Sequence, residues 1–109
     1  MAYTNRLAWE TLRSIDSSTL TGSYQTVGTP LLYPGYIIKM VNNSSSLVTV
    51  SIDGVTDIDV LPANSFFLYD LSTSPTPAPE ALPKGTQIYV KGSAGTGLIY
   101  FVSMYIVEN

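Results

Sequence analysis

Three carboxylates, Asp53, Asp57 and Asp59, fall in the short stretch Asp53-Gly-Val-Thr-Asp57-Ile-Asp59, the densest group of side chains in the chain able to do chemistry. Carboxylates this close could act as a general acid/base pair or share a calcium ion, which takes several oxygen ligands in a flexible shell. Acid/base work needs one of them enclosed so that its pKa rises. Calcium chelation by a dedicated loop needs a set ligand spacing and a terminal Glu. The segment offers neither, and aspartates around a turn ordinarily serve as turn formers and solvated charges. The chain also has no His and no Cys, which removes the commonest general base, the commonest metal ligand and the best nucleophile together. No catalytic, cofactor-binding or metal-binding residue is therefore assigned, no cofactor is expected, and the expectation is that the chain is not an enzyme.

Other motifs give way to plainer readings. Gly92-Ser-Ala-Gly95-Thr-Gly97 has the glycine density of a phosphate loop, but such a loop must open a helix whose N-terminus faces the anion, and the residues from Leu98 onward read as a strand. Asn42 and Asn43 each open an N-x-Ser sequon; without a secretory leader in view they read as a loop. The eight Tyr, three Phe and one Trp could anchor a protein interface or stack on a sugar, since Tyr combines an apolar body with a polar tip. Tyr69, Tyr89 and Tyr100 are expected at sandwich edges.

These side chains must be positioned by strands. From Leu20 onward, short β-branched and aromatic runs alternate with Gly, Pro, Asn and Ser, the pattern of a sandwich or barrel. About seven strands are expected: Leu20 to Val27, Tyr36 to Val41, Leu47 to Asp53, Val55 to Leu61, Ser65 to Asp70, Gln87 to Lys91, and Leu98 to Val107. Asp53-Gly54 between two alternating runs predicts a two-residue type I′ hairpin. Its first arm puts Val48, Val50 and Ile52 on a core face, and its second puts Ile58 and Val60 on one face with Asp57 and Asp59 on the other. The last strand is apolar on both faces, with Ile99, Phe101, Tyr105 and Val107 on one and Leu98, Tyr100, Val102, Met104 and Ile106 on the other. An antiparallel strand normally wets one face, so this pattern predicts cover by a loop, an arm or another subunit.

Two segments stand outside the pattern. Ser72 to Pro83 holds four of the seven prolines, which cannot donate to a central ladder, and predicts a long crossover. Met1 to Thr19 spaces Leu7, Trp9, Leu12 and Ile15 too irregularly for a helix or a core strand, and predicts an extended N-terminal arm. The expected architecture is a single antiparallel β-sandwich, jelly-roll or immunoglobulin-like, with residues 1–19 as arm and 20–109 as sandwich. The candidate interface residues are Arg6, Leu7, Trp9, Leu12, Ile15, Tyr100, Met104 and Ile106.

Composition sets the partners. At 109 residues the chain is one domain's length, with 45% hydrophobic and only 12% charged residues, about half the usual charged fraction. A surface so poor in charge suggests cover by a partner. A net charge of −3 and no basic run argue against nucleic acid. No stretch reaches the roughly 18 apolar residues of a membrane helix, and the charged residues near the N-terminus interrupt any leader.

The order of features resembles the small β-sandwich, jelly-roll-like virion proteins of tailed bacteriophages, which decorate capsids or fit around the neck and tail. The residues that carry it are Arg6-Leu7-Ala8-Trp9, then Leu20-Thr-Gly-Ser-Tyr24 through Pro30-Leu31, Asn42-Asn43, Val50-Ser-Ile-Asp53-Gly54, Leu61-Pro-Ala-Asn-Ser65-Phe and Leu82-Pro-Lys-Gly85. The resemblance implies function by assembly. The chain would be made in the host cytoplasm without a signal peptide and located in a virion, with other virion proteins and copies of itself as partners. The alternative expectation is a carbohydrate- or receptor-binding module that takes a host-surface glycan on exposed Tyr and the Asp57/Asp59 face.

Overall fold

The computed structural model describes residues 5–70 and 82–108. Residues 1–4 of the expected arm, most of the expected Ser72–Pro83 crossover and the side chain of Tyr69 lie outside the described residues. The rest forms two packed antiparallel sheets. The strands are β1 (Asn5–Trp9), β2 (Arg13–Asp16), β3 (Gln25–Thr26), β4 (Ile37–Ser44), β5 (Val48–Ser51), β6 (Asp59–Leu61), β7 (Ser65–Asp70), β8 (Tyr89–Gly92) and β9 (Gly97–Glu108). In the first sheet β1 and β2 both pair with one edge of β9, followed by β4 and β7; the second runs β3-β8-β5-β6. The expected β-sandwich is what the chain forms.

The segment expected as an arm is, from Asn5 to Asp16, the edge of the first sheet. Its irregular apolar spacing has a simple cause. Trp9 is paired with Met104 but Arg13 with Phe101, so four residues on one side span three on the other. This one-residue bulge reverses which parity faces the core. Leu7 and Trp9 before the bulge point away from the second sheet, whereas Ile15 after it points inward.

The Asp53-Gly54 hairpin also departs from expectation. Strands β5 and β6 do pair, Val48 with Leu61, Thr49 with Val60 and Val50 with Asp59. However, Gly54 alone of the turn pair has positive φ, +78°, so the two-residue type I′ turn, which needs both, is absent. A wider loop replaces it. The Asp53 carboxylate accepts from the backbone N–H groups of Val55 and Thr56 at 2.8 and 2.7 Å, and from the Ser51 hydroxyl at 2.8 Å. Five separate donors around one exposed loop are thereby satisfied without a tight turn, because Ser51 Oγ in turn accepts from the N–H groups of Asp53 and Gly54. In the resulting register Val60 stands opposite Thr49 and is exposed, while Asp59 stands opposite Val50, half-buried. The expected exposed face shared by Asp57 and Asp59 is not formed. The strand expected from Leu20 to Val27 shrinks to Gln25–Thr26, because Thr21 and Ser23 bond to each other in a local turn.

Alternation fills the core. Ile38 and Met40 of β4 and Ile99 and Phe101 of β9 meet Val48, Val50, Leu61 and Val90 of the second sheet, with Leu20, Val27, Leu31 and Ile88 closing the ends. Asn42, next on the inward face of β4, is buried yet satisfied: its amide donates to the carbonyls of Ser46, Leu61 and Pro62, and its oxygen accepts from Ser44. The first of the two sequons is therefore spent inside the fold.

Candidate functional site

Residues paired across an antiparallel sheet share a face, so the ladder defines what the first sheet turns outward. One row joins Leu7 to Ile106, and the next runs Trp9, Met104, Ile37. Val102, Lys39 and Leu68 form the middle row; Ser14, Tyr100, Val41 and Phe66 follow, and Asp16, Leu98 and Asn43 end the face. Trp9, Phe66 and Leu68 are 69%, 65% and 54% exposed. Lys39 is the one basic residue, at the middle, and among the described residues it has no ion pair. Four strands abreast at about 4.8 Å and the length of β9 give a face roughly 20 Å wide and 40 Å at its longest. Allowing for the shorter strands, that is on the order of 600 Å² with its polar residues included, comparable to the largest apolar patch of a typical monomer and somewhat below one side of a standard protein interface.

Five expected interface residues, Leu7, Trp9, Tyr100, Met104 and Ile106, meet on this face. The other three do not. Arg6 pairs with Val107 and Ile15 with Ile99, on the opposite side of the sheet, and Ile15 packs against the core. Leu12 is exposed in the connection between β1 and β2. Val102, expected on the same face of the last strand, and Val41 lie there too, and Phe66 and Leu68 of β7 complete the face without having been singled out. Their signal was the unbroken apolar run Phe66-Phe67-Leu68 in β7, which is apolar on both parities just as β9 is.

The bulge that turns Trp9 outward is fixed from within. Glu10 and Arg13 form a buried ion pair at 2.8 Å. Glu10 also accepts from the N–H groups of Leu32 and Tyr33, both at 3.1 Å, while Arg13 donates to the carbonyls of Thr11, Thr29 and Pro30. Two charges are thus spent on a loop that would otherwise lack partners. Beyond it, Tyr33 stacks on Tyr105, with ring centroids 3.9 Å apart.

The second sheet turns outward a different chemistry. The ammonium of Lys91 lies 3.2 Å from Asp57 and 4.6 Å above the Tyr24 ring, and the Tyr24 hydroxyl donates to Asp57. That hydrogen bond and Lys91 hold the Asp57 carboxyl below its usual range. Desolvation, then the Asp57 bond and charge, push the Tyr24 hydroxyl up to about 12. The backbone N–H groups of Thr56 and Val55 hold Asp53 well below the usual carboxylate range. Asp53 and Asp57 thus hold different donors, although the charge of Asp53 also reaches Tyr24, and Asp59 accepts from the Val60 N–H at 2.8 Å. Among the described residues no three His, Cys, Asp or Glu side chains come together as a metal site. The glycine-rich segment leads into β9, a strand.

Between the sheets lies a cavity of about 300 Å³ lined by core residues, including Met40, Phe67 and Phe101, with Ile52, Ile58 and Asp59 also on its wall. Asp59 alone among its lining side chains is polar, which leaves little to fix the orientation of a ligand. No family model matches the chain, and neither the curated proteins nor the solved structures contain a match.

Proposed function

We propose that this chain is a non-enzymatic structural subunit that works by assembly, in the manner of the tailed-phage virion proteins its sequence resembles, in many copies on a capsid surface or around a neck or tail. The observation that carries the reading is the outward face of the first sheet: a broad, mainly apolar surface with Lys39 at its middle and Asp16 at its end. Leaving that much apolar surface in water is costly, at about 25 cal/mol per Å², and covering it drives association. In this reading the segment from Asn5 to Trp9 contributes as a strand of the docking face, through Leu7 and Trp9.

Particle incorporation tests it. In a producing host, Leu68→Asp and Trp9→Asp, each placing a charge on the face without touching the core, should yield folded protein that is missing from purified particles. Wild-type levels of either variant in particles would sink the reading.

A further inference from the structure

We infer that the occupant of the outward face of the first sheet is the same face of a second copy, in a two-fold, sheet-on-sheet dimer. This rests on the assembly reading above and names the first partner in it.

Two arguments select the second copy. The first is area. A face on the order of 600 Å² covered by its own equal buries about 1,200 Å² in total, at the lower end of the range of stable, specific interfaces. The second is charge. A copy of this chain has two broad faces to offer. The outward face of its second sheet carries the Asp57–Lys91–Tyr24 cluster; laying that cluster on Trp9, Phe66 and Leu68 would take two charges out of water against groups that cannot bond to them. The outward face of its first sheet sets middle rows that are apolar but for Lys39 against their like, leaves Asp16 at the end of the face, and keeps Asp53 and Asp57 at the far side of each copy. Lys39 is tolerated because its long apolar stem can lie along the interface with the ammonium reaching the rim. With the two-fold axis parallel to the strands and between β9 and β4, Lys39 lies over β9 of the other copy instead of over its twin. Packed sheets of this kind sit about 10 Å apart with strands near −30°.

Trp9 is the chain's one tryptophan and lies on the face, so it reports the contact directly. Sedimentation equilibrium over a concentration series should show the mass rising to twice 11.8 kDa, with Trp9 emission shifting to the blue and losing its quenching by iodide over the same range. Phe66→Asp and Leu68→Asp should stay monomeric with Trp9 quenchable, while Val60→Asp, on the second sheet's outward face, should dimerise as the wild type does; far-UV circular dichroism and melting confirm that each is folded. A monomer at concentrations on the order of 100 µM, weak for an interface of this size, overturns the inference. So does a dimer in which Trp9 stays open to iodide, or one that Val60→Asp breaks and Leu68→Asp does not. If the wild type is monomeric but Leu68→Asp is still lost from particles, the second copy is the wrong partner and the assembly reading stands.

Discussion

Glu10, in the connection between β1 and β2, and Arg13, the first residue of β2, are joined at 2.8 Å with their side chains only 1% and 5% exposed. A buried ion pair is ordinarily weak support for stability, since two charges lose their water and hydrophobic replacements often do as well. Here the pair also supplies partners for five backbone groups: the N–H groups of Leu32 and Tyr33 and the carbonyls of Thr11, Thr29 and Pro30. Glu10→Ala should therefore cost about 3–5 kcal/mol, the scale for stranding a buried charge. The double change Glu10→Leu with Arg13→Met should not recover the loss, because the backbone groups stay orphaned. Urea melts of the three proteins check this; a double variant as stable as the wild type would show that the loop needs no polar support. Deleting residues 1–19 removes this pair with two strands and should unfold the domain.

Asn42 gives the second prediction. Its amide serves three carbonyls inside the sandwich. Asn42→Asp keeps the shape but replaces a donor by a carboxylate facing those oxygens, so it should lose more stability than Asn42→Ala, by about 1–3 kcal/mol beyond it. Thermal melts at neutral pH rank the two. At pH well below the carboxyl range the gap should narrow, as a protonated Asp regains one donor.

The glycines separate conformational strain from steric conflict. Gly97, at φ +99°, begins β9, and a Cβ there would lie 2.2 Å from the backbone oxygen of Asn43. Gly85, at φ +90°, has open space where its Cβ would go. Gly85→Ala should cost about 1–2 kcal/mol of backbone strain, and Gly97→Ala distinctly more, because β9 and β4 must part at Ser44. Gly22→Ala, with neither obstacle, should be neutral. Equal losses at Gly85 and Gly97 would show that the β4–β9 end can relax.

Period-two alternation made the sandwich legible, and Ser65–Asp70 fell where its apolar run placed it. The doubly apolar β9 pointed to the outward face because only a strand with both faces in demand carries no polar parity. What was hidden was hidden by geometry. One bulge residue between Trp9 and Arg13 scrambled the parity of β1 and β2 and made two strands read as an arm. The Asp53-Gly54 pair signals a tight turn, but the Asp53 carboxylate and Ser51 hydroxyl stabilise a wider loop, a tertiary choice no dipeptide records. The Glu10–Arg13 pair bridges to residues 29–33, a contact that spacing along the chain does not announce.

The last prediction concerns pH. Tyr24 has its hydroxyl raised from 10.0 to about 12, first by desolvation and then by Asp57. A group whose folded pKa is raised contributes stability that is intact below its unfolded pKa and lost as pH climbs through the folded one. The Tyr24 contribution should thus hold up to about pH 10 and fade toward pH 12. Asp57 and Asp53 run the other way. Their folded pKa values are depressed, so their contribution is present above the ordinary carboxyl range and drains away as pH falls below it. Absorbance titration at 295 nm should show one tyrosine ionising late that Tyr24→Phe removes. Asp57→Asn should bring that late step back toward 10, since it deletes the charge while leaving the ring in place. If the late step survives unchanged in Asp57→Asn, desolvation and the charge of Asp53 hold Tyr24 neutral without Asp57, and the Asp57–Tyr24 contact is one of packing in place of an electrostatic one.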